Sequence, residues 1–231
     1  MKDAFISEME KQINPDNSVN WAHFFGIKPG SYGEGDILLG IHTKDTRSIC
    51  KDYRDMPYDE IIELLHSNVH EFRFGALILL RLKPKKEAEK VLKCYLDNLK
   101  HVNNWDLVDE SAPNILGKYC FEHQDESYLQ ALNQSDKLWE KRISIVGYQY
   151  YYRKGVMAGG MEAIDHLLED PEPLIQKACG WMLRVIYNKV DKHVVESYII
   201  DNYSRMSRPT IRAAIERMPE EQRLQFLHGD F

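Results

Sequence analysis

Five charged residues recur along the chain at a nearly constant interval: Arg73, Asp109, Arg142, Lys177 and Arg212, separated by 36, 33, 35 and 35 positions. Four are cations. A row of cations attracts anions, and a guanidinium grips a phosphate through two parallel N–H···O bonds. The fifth is a carboxylate, which stabilises a developing positive charge and orients or deprotonates a water molecule. One acid among four bases is what a reactive site needs and what a mere ladder of structural charges does not. Each residue also has a structural reading. Arginines of stacked repeats pair with the neighbouring repeat. Asp109, together with Asp106 and Glu110, reads as a solvated face or as the first turn of a helix.

Other chemistries find little support. His23, His42 and His70 lack ligand spacing such as HExxH, so no metal is expected. Cys50, Cys94, Cys120 and Cys179 are scattered without a CxxC pair, and reduced, buried thiols are the simplest reading. Residues 28–36, Lys-Pro-Gly-Ser-Tyr-Gly-Glu-Gly-Asp, form the one glycine-rich loop. A phosphate cradle needs a strand before it, a helix after it and a GKS/T ending. The stretch reads better as a turn joining two helices, and no cofactor is expected.

A period near 35 points to stacked helical pairs, because a single pair cannot bury its own apolar face. The segments between the markers agree. Tyr58 to Leu65 places Ile61, Ile62, Leu64 and Leu65 on one side, with Asp59, Glu60 and Glu63 outside. Glu87 to Leu99 does the same with Val91, Leu92, Tyr95, Leu96 and Leu99. Pro57, Pro84, Pro171, Pro173 and Pro219 fall at expected helix boundaries, where a missing N–H is tolerated. No alternating run is bounded by hairpin chemistry. The expected class is all-α, with residues 1–231 as a single domain of stacked helical repeats.

The composition, 43% hydrophobic and 29% charged, belongs to a folded globular chain rather than a disordered one. The longest apolar run, Ala76 to Leu80, is too short to span a bilayer, and no apolar region follows Met1. A cytoplasmic protein with no membrane partner is expected. The net charge of −6 argues mildly against a nucleic-acid partner. That deficit lies wholly in residues 1–135, while residues 136–231 carry 14 basic and 14 acidic side chains. Binding to DNA therefore requires a local basic stripe. The densest basic cluster, Arg81, Lys83, Lys85 and Lys86, reads as a solvated turn around Pro84.

Four stretches, in order along one chain, carry a resemblance. Asn103-Asn104-Trp105-Asp106-Leu107-Val108-Asp109 is followed by Ser111-Ala112-Pro113. Tyr32-Gly33-Glu34-Gly35-Asp36 leads into Leu39-Gly40-Ile41. Trp139-Glu140-Lys141-Arg142 precedes an apolar helix ending in Arg153-Lys154-Gly155. Lys177-Ala178-Cys179-Gly180-Trp181-Met182-Leu183-Arg184 completes the set. From about residue 20 to 220 the chain resembles the DNA alkylation repair (AlkD-like) family of HEAT-repeat DNA glycosylases. The resemblance implies a right-handed solenoid of HEAT-like helical pairs, an ARM/HEAT-type superhelix with a concave cleft for double-stranded DNA. It implies hydrolysis of the N-glycosidic bond of cationic N3- or N7-alkylated purines by a monomer.

By position, the family's cleft residues carry over to Trp105, Asp109, Arg142 and Trp181. Such a substrate is already weakened by its charge, so a carboxylate, two indole faces and a phosphate grip suffice. Trp105 and Asp109, four apart, share a helix face and are placed to bracket one sugar. Arg153, Lys154, Lys177, Arg184, Arg205, Arg208 and Arg212 lie in the repeats expected to line the groove, and His42 in a segment expected to flank it. The alternative is a catalytically inactive HEAT scaffold that binds damaged or branched DNA or a protein partner.

Overall fold

Helix starts are written into the side chains at their N-termini. Asn14 accepts the N–H of Asn17 ahead of Pro15, and Glu172 that of Leu174 ahead of Pro173. Asp191 accepts from His193 and Val194, and Ser207 from Thr210. Each such cap contributes about 0.5–2 kcal/mol by satisfying donors that no turn of helix precedes. Pro57 and Pro219 stand at the N-cap positions of their helices, as the sequence predicts.

A computed structural model describes residues 1–231, and it is all-helical. Its backbone contacts divide the chain into Met1–Ser111 and Ala112–Phe231. The first unit holds α1 (Lys2–Glu10), α2 (Pro15–Trp21), α3 (Thr43–Asp52), α4 (Tyr58–Leu65), α5 (His70–Arg81), α6 (Ala88–Asp97) and α7 (Trp105–Ser111). The second begins with a π-helical turn, Ala112–Gly117, and continues with α8 (Lys118–His123), α9 (Ser127–Asn133), α10 (Leu138–Gly147), α11 (Gln149–Arg153) and α12 (Gly160–His166). It ends with α13 (Pro173–Lys189), α14 (Lys192–Asn202), α15 (Arg208–Ile215) and α16 (Glu220–His228). Pro113 inside the π turn has no N–H to give, and its ring crowds the preceding turn.

The five markers fall on α5, α7, α10, α13 and α15 in turn, so the period near 35 is a period of helical pairs. α4 has the bounds read from the sequence, with Ile61, Leu64 and Leu65 buried. α6 stops at Asp97, two residues short of the expected end. There the Asn98 side chain donates back to Cys94 O at 2.8 Å, and Leu99–His101 tighten into a 3₁₀ turn. The glycine-rich loop does join two helices, α2 and α3. Strand-type pairing is limited to one isolated bridge between Ile37 and Val69.

In the first unit α5 is the central element. It is buried from His70 through Leu80 and packs on α3, α4 and α7. A helix covered on so many sides reads as apolar nearly all round rather than as one stripe. In the second unit the long α13 plays that part, packing on α10, α11, α14 and α15. Its contact with α15 is close because of Gly180. A Cβ there would lie 2.2 Å from Thr210 O, which backbone cannot yield. The four cysteines are buried and unpaired, as expected. Burial pushes the thiols of Cys50, Cys120 and Cys179 up to about 12. No helix is long and apolar enough to cross a membrane.

Candidate functional site

In the second unit, α13 places Lys177, Trp181 and Arg184 on one face at i, i+4 and i+7. α15 places Arg208 and Arg212 at i and i+4, with Glu216 at i+8 just past its end. These six residues, with Arg142 from α10, Pro209 and Ala213, line an open cavity of about 550 Å³. Five cations face one carboxylate there. This is a local basic stripe in a chain whose net charge is −6.

The cations are held differently. Arg142 is only 5% exposed, and its Nη1 donates to Leu174 O at 2.7 Å. Arg184 pairs with Glu216, and Arg208 donates to Leu227 O at 2.6 Å. Lys177 and Arg212 are exposed, and their side chains make no hydrogen bond or ion pair. Trp181 is half-buried among them. Chemically the cavity offers planar and point cations for phosphate oxygens and an indole face for a sugar or base.

Four of the expected DNA contacts, Lys177, Arg184, Arg208 and Arg212, thus share one cavity with two of the expected cleft residues, Arg142 and Trp181. Arg153 and Lys154 do not line it. Arg153 donates to Asn114 Oδ1 at 3.3 Å and to Gln149, and Lys154 lies 5.5 Å from the centre of the Tyr150 ring. Arg205 is taken up by Asp165 and Glu169 at 2.9 and 3.1 Å.

In the first unit, α7 begins at Trp105. Asn104 Oδ1 accepts the Trp105 N–H at 2.9 Å, and Asn104 Nδ2 donates to Phe25 O at 2.9 Å. The Trp105 indole stacks on Phe25, centroids 5.5 Å apart at 18°, and its Nε1 donates to Phe24 O at 2.9 Å. Asp109 follows one turn later, half-buried like Trp105. The same-face spacing read from the sequence is therefore realised within one helix. His42 stands at the N-cap of α3, exposed, with Nε2 3.2 Å from Asn17 Nδ2 and its ring edge-on to Trp21.

The solvated-face reading of Asp106 and Glu110 is overturned. Both are buried. Glu110 is clasped by Arg47 at 2.7 Å and Arg81 at 2.6 Å. Asp106 Oδ2 lies 2.7 Å from Nε2 of the buried His70, whose Nδ1 is 3.5 Å from Asp36 Oδ2; Asp36 also pairs with Arg73. The marker Arg73 is thus a buried structural ion. This Asp36–His70–Asp106 chain escaped the sequence reading, which considered His70 only as a metal ligand. One signal was present: His70 and Asp106 both stand three residues before a marker, in equivalent repeat positions. Glu71 is a further buried acid, accepting from the backbone N–H groups of Leu39, Gly40 and Ile41 at 2.8–3.3 Å.

Burial by itself depresses the His70 imidazole, but the Asp106 charge and hydrogen bond, helped by Asp36, hold it protonated up to about 9. The folded value lies above the ordinary 6.5. The stabilisation is therefore complete below pH 6.5 and is lost as the pH climbs through about 9. Each tenfold gain in proton affinity corresponds to ~1.4 kcal/mol, so the whole effect is roughly 3 kcal/mol. Denaturant midpoints at pH 6.5 and 9.5 are expected to differ accordingly, and His70→Asn to flatten the slope. Equal midpoints in the parent protein would discard the protonated His70.

Comparison with known proteins adds to this geometry. A family model described as DNA alkylation repair enzyme matches residues 5–218. No curated protein sequence matches the chain significantly. Among solved structures, the chain is similar to one described as a predicted DNA alkylation repair enzyme from Enterococcus faecalis. The two share 16% identity with a TM-score of 0.66, over 90% of this chain and 98% of the other. That likeness shows a common all-helical fold.

Proposed function

Because the chain belongs to the DNA alkylation repair enzyme family, we propose that it is an alkylpurine DNA glycosylase acting in base excision repair on duplex DNA. The observation that carries the reading is the basic cavity around Trp181, five cations to one carboxylate in an acidic chain. Residues 1–231 are taken as one HEAT-like repeat domain working as a monomer, an extent supported by the continuous family match from 5 to 218. Four buried, unpaired thiols fit a reducing, cytoplasmic setting.

A purine alkylated at N3 or N7 carries a positive charge. When its C1′–N bond breaks, the bonding pair returns to the ring and cancels that charge, so no acid is needed to protonate the leaving base. The deoxyribose takes on oxocarbenium character. Water then bonds to C1′ and gives its extra proton to Asp109 or to bulk water. The Asp109 carboxylate stabilises the sugar cation and directs that water. The indoles of Trp105, in the first unit, and Trp181, in the second, are assigned as ring faces able to favour a cation. Arg142, Lys177, Arg184, Arg208 and Arg212 neutralise phosphates, with Arg153, Lys154 and His42 as outer contacts.

The direct experiment is incubation of the purified protein with a duplex containing 7-methylguanine, measuring free base. Release supports the glycosylase; tight, salt-sensitive binding without release at enzyme excess would favour a scaffold. The mechanism also requires a cationic substrate. A uracil-containing duplex is expected to be left intact, since uracil leaves as an anion with no acid assigned to protonate it. Efficient uracil release would remove the leaving-group argument.

Arg142→Ala is expected to weaken duplex binding and base release together. It is also expected to lower the thermal midpoint, because Leu174 O loses a buried donor. A variant that is less stable but binds and cuts like the parent would make Arg142 a structural residue alone.

A further inference from the structure

The contacts that hold the Trp105 ring come from one stretch of chain, the segment leading through the glycine-rich loop. Phe24 O accepts the indole Nε1–H at 2.9 Å, and Phe25 stacks beneath the ring. The same carbonyl also accepts from Tyr32 Oη at 2.8 Å, so Tyr32 and Trp105 share one anchor. The chain returns over itself to make this possible: Gly33 N–H donates to Gly26 O at 2.9 Å. A Cβ on Gly33 would lie 2.4 Å from Phe25 O, so no other residue allows the approach. Asp36 then closes the loop. Its carboxylate is fixed by Arg73 and His70, and the His70 ring tilts against Phe25 at 4.7 Å. The other His70 nitrogen reaches Asp106, the residue after Trp105 on α7. The loop therefore grips both the indole and the helix that carries it.

We propose that residues 24–36 form a cradle that fixes the plane of the Trp105 indole, with Tyr32 and Asp36 as its positioning residues. A single tryptophan at the head of a helix has free rotamers. A catalytic face that must meet a sugar within a few tenths of an ångström has not, and fixing it beforehand is where rate is gained. The assignment gives the Tyr32-Gly33-Glu34-Gly35-Asp36 motif a purpose that a plain turn between helices lacks. It rests on the glycosylase reading, in which the Trp105 face meets the deoxyribose.

The test uses the full chain labelled with 5-fluorotryptophan. The Trp105 ¹⁹F resonance is assigned by its loss in Trp105→Phe. Tyr32→Phe and Asp36→Asn are each expected to shift or split that resonance while those of Trp139 and Trp181 stay in place. Single-turnover release of 7-methylguanine is expected to fall about tenfold in Asp36→Asn and several-fold in Tyr32→Phe, with duplex affinity within about twofold of the parent. Should Asp36→Asn fail to fold, Tyr32→Phe, which removes one hydroxyl, carries the test. An unmoved Trp105 resonance overturns the cradle, and so does a displaced resonance with an unchanged release rate. A parent protein that releases no base overturns the glycosylase reading instead, and the cradle is then decided by the resonance alone.

Discussion

Asp109→Asn is expected to lower the single-turnover rate of 7-methylguanine release by roughly 10²–10³-fold while leaving duplex affinity unchanged or slightly higher. The substitution keeps the side-chain shape and one oxygen but removes the charge proposed to stabilise the sugar cation. It also removes a repulsion with the phosphates. The sequence leaves open a capping role, in which loss of Asp109 costs about 0.5–2 kcal/mol of stability and spares turnover. The observed helix weakens that role, because α7 begins at Trp105 and Asp109 lies beyond its first turn. Single-turnover release and a melting curve on the same variant separate the two. An unchanged rate would remove Asp109 from the mechanism.

The second large effect is expected on binding. Lys177 and Arg212 are exposed on α13 and α15, unpaired, beside Trp181. No ion pair or side-chain hydrogen bond of the folded protein is lost with them, so Lys177→Glu with Arg212→Glu should leave the thermal midpoint close to that of the parent. If each neutralises one phosphate, the slope of log affinity against log salt should fall by about 2 in the double variant. Affinity at low salt should drop roughly 10²-fold, for damaged and undamaged duplex alike, since phosphate contacts carry no lesion information. An unaltered salt slope would mean that the cavity does not hold the backbone. Arg142 is a poorer probe of this question, because its burial mixes stability with binding.

What the sequence made legible follows from what repeats preserve. The interval between Arg73, Asp109, Arg142, Lys177 and Arg212 survived into the fold because each sits on a helix of successive pairs. The bounds of α4 were readable because Pro57 opens it and its apolar residues share one side. Burial was not readable where an ion's partner is remote in sequence. Asp106, Glu110 and Arg73 look like surface charges until His70, Arg47, Arg81 and Asp36 are brought against them. A helix such as α5, covered on several sides, hides its ions among apolar neighbours and gives no polar face to count. The clustering of Lys177, Arg184, Arg208 and Arg212 was only half legible. Register puts each on its own helix face, but the close approach of α13 and α15 at Gly180 makes those faces one cavity.

The buried cysteines bear on a hazard specific to alkylation repair. The agents that methylate a purine nitrogen are electrophiles, and in a protein their preferred target is a thiolate. Burial pushes the Cys50, Cys120 and Cys179 thiols up to about 12, so they stay protonated at neutral pH, and the fold shields them from reagent. Burial likewise raises the Cys94 thiol. Methylating doses that inactivate enzymes with exposed, acidic thiols are expected to leave these four sulfurs unmodified, which intact-mass measurement after exposure checks.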